Sequence, residues 1–253
     1  MIGLRILFAT LLSVCLVTPS AARSLSEIRE TGKIVIATEA YFAPFAFFEG
    51  DKLTGFEVEI ANAVASQMGL KTEWVNVGFD ALLVGLQQDR WDWVVASMTF
   101  TPERLKAATW VAPHYCSGMV AVGKPEAVTE AGMKGKVAAT LTGSVYVDRA
   151  NQLGFFSSVT NFPQDTNARM AVMTGRADIW LTDSLVALQA IKANPDAGLA
   201  ISPVLIQDQV ASAVKKDELE LSAAISDALA QIVKNGTYVQ ISRRWFDTDI
   251  SCK

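Results

Sequence analysis

One histidine and three cysteines stand among 253 residues. So little imidazole and thiol leaves no cluster for a metal site, and too few cysteines for a disulfide-stapled scaffold. Charge is sparse at 19%, with 22 Lys+Arg against 26 Asp+Glu, so no basic excess offers nucleic acid a footprint. A glycine-rich phosphate loop, a Gly-x-Ser-x-Gly elbow and a carboxylate run suited to a cation are all missing. No nucleophile–base arrangement stands out, and no cofactor is expected. What is plentiful is apolar residue, 51% of the chain, which excludes disorder. The length fits one to two domains at roughly 150 residues each.

The mean hydropathy of +0.27 raises the question of a membrane. Much of it sits at the start. Arg5 precedes a 12-residue apolar core over 6–17, and Ser20-Ala21-Ala22 follow as a small-x-small exit. That is the pattern of a cleavable export signal over 1–22, and it is shorter than the ~20 apolar residues of a spanning helix. No later run is long enough without charge to span. Losing Arg5 with the leader takes the formal charge from −4 to −5. The mature chain reads as soluble, mildly acidic and exported. Cys116 and Cys252 then remain in a compartment that permits disulfides, and the sequence leaves open whether they pair. His114 reads as an ordinary packed or surface residue.

Strand-like and helix-like runs alternate through the mature chain. Residues 33–38 form a β-branched run, and Phe56, Ile60, Val64 and Met68 recur every four residues before Gly69. Residues 72–77 read as a strand, Phe79, Leu82, Leu83 and Leu86 as a helix face, and 93–96 as a strand. This β-α-β-α-β order argues for a mainly parallel sheet flanked by helices. The pattern then repeats: Gly135-Lys136-Val137 echoes Gly32-Lys33-Ile34, and Arg176-Ala177-Asp178 echoes Arg90-Trp91-Asp92. Two similar α/β lobes follow, with a last strand over 210–214 and helices over 218–234 and through Tyr238, Ile241, Trp245 and Phe246. Trp91, Trp93, Phe56 and Phe246 read as packing.

Polar residues gather at the carboxyl ends of the strands, where open α/β sheets bind ligands. Ser97-Met98-Thr99 leaves a strand, and Thr101-Pro102-Glu103-Arg104 starts a helix with a capping threonine and a proline in its first turn. Two hydroxyls and a guanidinium make an anion cradle, although an arginine there also suits an ordinary solvated surface. Thr142-Gly143-Ser144 leaves a strand into a helix and offers a matching hydroxyl and N–H, or a plain N-cap. Asp183 ends a strand on the same edge, as an ammonium receptor or a helix cap.

In this order these pieces resemble the polar-amino-acid-binding proteins of ABC importers, the extracytoplasmic solute-binding proteins of family 3. The resemblance rests also on Tyr41-Phe42-Ala43-Pro44-Phe45, Gly55-Phe56-Glu57-Val58-Glu59, Phe79-Asp80-Ala81-Leu82-Leu83 and Asn235-Gly236-Thr237-Tyr238, and covers nearly the whole mature chain. It implies a two-lobed, type II periplasmic-binding-protein-like fold with two hinge crossings. Lobe one would be 23–117 plus 209–253, and lobe two 118–208. It implies that Arg104 clamps the ligand α-carboxylate with Ser97, Thr99 and Ser144, that Asp183 takes the α-ammonium, and that Phe42 and Phe79 pack on the side chain. Glu39 would lie near its tip; Met98 and Thr142 complete the expected set. Ser97 departs from the glycine that many relatives carry.

The implied function is capture of a free amino acid, with a weak lean to a polar or basic one, for a membrane permease and its ATPase. The protein would be a periplasmic monomer performing no chemistry. The rival is an exported enzyme on the same scaffold, of the cyclohexadienyl dehydratase kind. Such an enzyme needs a proton donor, and Ser184-Leu185-Val186-Ala187-Leu188 after Asp183 holds no carboxylate. A sensor domain acting through a separate partner is a third option.

Overall fold

A computed structural model describes residues 23–252, so the export signal expected over 1–22 lies outside the described residues. The chain enters through α1 (Leu25–Thr31), where Ser24 and Glu27 cap each other's backbone amides. Next come β1 (Lys33–Thr38) and a small antiparallel meander of β2 (Tyr41–Phe42), β3 (Ala46–Glu49) and β4 (Lys52–Thr54). Helix α2 (Phe56–Gln67) buries Phe56, Ile60 and Val64, as their spacing predicts, and Met68 serves as its C-cap. Then follow β5 (Lys71–Asn76), a short 3-10 turn, α3 (Leu82–Gln87), β6 (Trp93–Thr99), α4 (Pro102–Ala107) and β7 (Ala108–Trp110).

Two long strands organise the molecule. These are β8 (Tyr115–Gly123) and, far along the chain, a strand over Ile206–Lys215. Between them lie β9 (Val137–Leu141), α5 (Tyr146–Leu153), β10 (Ser158–Phe162), α6 (Asp165–Met173), β11 (Ile179–Asp183), α7 (Ser184–Ala193) and β12 (Ala200–Ile201). The second long strand is β13, followed by α8 (Leu219–Lys234) and α9 (Thr237–Phe246). The sheet path runs β10-β9-β11-β8-β13-β6-β1-β5 without a break. Pairing is parallel toward both ends, β1 with β5 and β6, and β9 with β10 and β11. It is antiparallel where β8 and β13 pair with each other and with their outer neighbours. The result is an α/β fold with a mixed, curled sheet.

Helices cover the sheet and seal the core. Phe45, Phe56, Tyr115 and Phe246 stack edge and face beside Tyr238. Trp91 and Trp93 are buried packing residues. Cys116 and Cys252 are joined in a disulfide with Cα atoms 4.9 Å apart, and the Cys116 amide donates to the Ile250 carbonyl. The chain's end is thereby fastened to β8.

Candidate functional site

The carboxyl ends of β1, β6 and β9 and the start of α6 converge on a cleft of about 440 Å³. Glu39 follows β1, and Ser97 and Thr99 end β6. Arg104 stands on α4, Ser144 follows β9, and Asp165 opens α6. Phe42 and Phe79 line the walls with Ala96, Leu141, Val145 and Tyr146. Seven residues expected from the sequence thus meet in one space: Glu39, Phe42, Phe79, Ser97, Thr99, Arg104 and Ser144.

Local sequence fixes the arginine. The Thr101 hydroxyl accepts from the Arg104 amide at 3.2 Å and Pro102 starts the helix, so Arg104 falls in the first turn beside the strand end. Its Nη1 donates to the Thr99 carbonyl at 2.5 Å and its Nη2 to the Gly143 carbonyl at 2.9 Å. The guanidinium also lies over the Phe79 ring, 5.5 Å from its centroid. Five N–H donors leave spare capacity for a carboxylate. Desolvation, with the neighbouring Arg149 charge adding to it, lowers the Arg104 pKa to about 10, so it stays cationic at neutral pH. Gly143 sits at φ +76, where a Cβ would come within 3.2 Å of Asp80. Glycine there lets this loop approach the 3-10 turn opposite.

Ser97 sits at φ +48, a left-handed region that favours glycine and that other side chains rarely adopt. Here the strain is held by Glu57. The Ser97 amide donates to both Glu57 carboxylate oxygens at 2.9 and 2.8 Å, and its hydroxyl donates at 2.9 Å. His114 Nε2 lies 2.7 Å from Glu57 Oε1, with both side chains buried. The lone histidine is therefore a packed residue behind the site.

Two carboxyls line the same cleft. Burial, reinforced by the Asp165 charge, pushes the Glu39 carboxyl up to about 7, and its Oε1 has no hydrogen-bond partner. Burial likewise pushes Asp165 up to about 7, although Trp180 Nε1 donates to its Oδ1 at 2.9 Å. Desolvation raises the Tyr146 hydroxyl well above its ordinary range, with the Asp183 and Asp208 charges adding to it.

Three expected residues stand off the cleft wall. Met98 is buried with Leu82, Leu86 and Trp91, because successive strand residues face opposite sides of the sheet. Thr142 uses its amide to extend the β9–β10 pairing, donating to Phe162. Asp183 caps α7, accepting from the Leu185 amide at 2.8 Å and the Ser117 hydroxyl at 2.9 Å. Its carboxyl, pushed up to about 7 by burial, lies behind the wall. The sequence reading missed Ala96, Leu141, Val145, Tyr146 and Asp165. For Asp165 the signal was faint: it follows β10, an edge strand with mostly exposed or half-buried residues and no hydrophobic alternation.

Comparison with known proteins adds relatives. The family profile of the bacterial extracellular solute-binding proteins, family 3, matches residues 34–248. The L-cystine-binding protein TcyJ of Escherichia coli (strain K12) is 29% identical over 233 residues, 90% of this chain and 87% of its own. An ancestral arginine-binding protein bound to glutamine superposes with a TM-score of 0.80 at 33% identity, covering 85% of this chain and 98% of its own. The ancestral amino acid-binding protein AncCDT-1, described as a precursor of cyclohexadienyl dehydratase, also gives a TM-score of 0.80, at 26% identity. It covers 87% of this chain and 98% of its own.

Proposed function

The chain belongs to the bacterial extracellular solute-binding proteins of family 3, and on that premise we propose that it captures a free amino acid with a cationic side chain for an ABC importer. It is the amino-acid-binding component of such an importer. Delivery to a membrane permease and its ATPase, and a periplasmic site of action after removal of residues 1–22, complete the reading. The lobes would be 23–117 plus 209–253 and 118–208. Both limits fall within β8 and β13, the strands that carry the chain between the two ends of the sheet.

One observation carries the ligand class, the charges that line the cleft. Among the described lining residues Arg104 is cationic and Glu39 and Asp165 are acidic. The complement is a carboxylate for Arg104 and a cation for the acidic pair, as in an α-amino acid whose side chain ends in a positive charge. A neutral tip would leave two buried carboxyls with no counter-charge to ionise them. Phe42 and Phe79 supply apolar walls for the side chain. Relatives named for arginine and lysine point the same way.

A screen of the free amino acids by thermal shift tests this. A ligand at 100 times its Kd adds about 2.7 kcal/mol to stability, and L-arginine, L-lysine and L-ornithine are expected to raise the melting temperature. Absence of any shift across the whole set overturns the amino-acid reading, and a shift with neutral amino acids alone overturns the cationic one.

A dehydratase reading keeps one specific support. The cleft holds carboxyls pushed up to about 7, which Ser184-Leu185-Val186-Ala187-Leu188 does not supply, and such groups could donate a proton. Incubation with prephenate and arogenate decides it: turnover would make the chain an enzyme.

A further inference from the structure

A second crevice, of about 660 Å³, has one lining residue in common with the ligand cleft. Asp165 lines both spaces. The crevice lies between the meander of β2 and β3, helices α6 and α7, and Trp245 of α9, with Tyr41, Phe47 and Trp180 among its walls. Its cation is Arg169. Arg169 stands four positions after Asp165 on α6, which places both side chains on one helix face. The usual outcome of that spacing is a hydrogen-bonded pair. Here Asp165 Oδ1 is taken by Trp180 Nε1, and the buried Nε of Arg169 has no acceptor. A buried donor left unmade is costly and points to a missing partner, which for guanidinium is best a carboxylate.

We infer that the site continues past Asp165 and takes an amino acid whose far end is itself zwitterionic. Its distal cation meets Glu39 and Asp165, and a second carboxylate meets Arg169. Arg104 and Arg169 then meet the ligand's two carboxylates, and Glu39 and Asp165 meet its distal cation. Two α-amino-acid heads joined through their side chains, or a basic amino acid carrying a carboxylate on its side-chain nitrogen, have this form. The inference rests on the amino-acid-binding reading above and refines its ligand.

Calorimetry with the mature protein separates the two. The probes are L-lysine, Nε-carboxymethyl-L-lysine, L-cystathionine and L-cystine. The expected result is at least tenfold tighter binding of Nε-carboxymethyl-L-lysine than of L-lysine, and of one two-headed probe as well. Arg169→Gln is expected to bring that ratio close to one, while Arg169→Lys, which keeps the charge but not the fork, retains part of it. If L-lysine binds and the added carboxylate brings no gain, or if the ratio survives in Arg169→Gln, the extension is wrong and the amino-acid reading stands. If no probe and no common amino acid binds, both fail together.

Discussion

Arg104 reaches across the cleft and donates to the Gly143 carbonyl at 2.9 Å, joining α4 to the loop between β9 and α5. Among the described residues lining the cleft, the same guanidinium is the positive group. In the proposed binding mode one side chain would therefore serve both ligand capture and contact between the two sides of the cleft.

Arg104→Ala is expected to weaken amino-acid binding at least about 100-fold, the loss of one or two charge-assisted hydrogen bonds of roughly 1.5–3 kcal/mol each. The melting temperature of the ligand-free protein should move little, since Arg104 is only half-buried. Isothermal calorimetry checks this, and an affinity within threefold of the parent sinks the carboxylate assignment.

Glu39→Gln and Asp165→Asn are expected to turn preference from cationic toward neutral amino acids. In the proposed binding mode each removes one carboxylate from the ligand's side-chain end, so L-arginine should lose about tenfold or more relative to L-glutamine. Competition binding reads the ratio directly. Equal losses for both ligands would place these carboxylates outside side-chain recognition.

Proton linkage gives a signed prediction. Glu39, Asp165 and Asp183 have ordinary values of 4.5, 3.8 and 3.8, each pushed up to about 7 by burial. Between those limits the folded, empty protein holds protons that the unfolded chain releases. Stability from these groups is thus present at low pH and lost as pH rises toward 7. The ligand-free protein should melt higher at pH 5.5 than at pH 8, by a margin that Asp165→Asn reduces. Affinity for L-arginine should run oppositely, rising with pH through 7, because the ligand's cation must displace those protons. Melting curves and titrations at the two pH values test both signs.

Reduction of Cys116–Cys252, or its double serine variant, is expected to cost roughly 2–4 kcal/mol of unfolding free energy. The bridge closes a loop with a sequence separation of 136. It lies outside the cleft lining, so affinity should stay within threefold. Urea denaturation with and without reductant measures the first, and calorimetry the second.

Glu57→Ala is expected to cost about 3–5 kcal/mol, since it leaves the Ser97 amide and buried His114 without their acceptor. Glu57→Gln should lose less stability, because an amide oxygen can still accept. Similar losses for the two variants would argue against a hydrogen-bonding role.

Much of the fold is legible in local sequence. The four-residue recurrence of Phe56, Ile60 and Val64 predicts α2, and Thr101-Pro102 predicts the start of α4 and so the place of Arg104. Those features are local, written in periodicity and capping chemistry. The misses are of another kind. The capping of α7 by Asp183 is local, through the Leu185 amide, but its second donor, Ser117, lies 66 residues away in sequence. Asp165 came to notice only when the sheet brought β10 beside β9, since an exposed edge strand carries little hydrophobic signal. Met98 was misplaced by strand alternation alone, between two neighbours that do face the cleft.

The antiparallel pairing of β8 with β13, from Tyr115↔Val210 to Met119↔Ile206, has a mechanical consequence. Both connections between the ends of the sheet belong to a single ribbon. A two-stranded ribbon flexes across its flat face at little cost, whereas sliding one strand past the other breaks its ladder and turns side chains to the wrong face. On the two-lobe reading proposed above, that ribbon would let the two ends of the sheet tilt toward each other while resisting shear, which would keep Arg104 and Ser144 in one alignment.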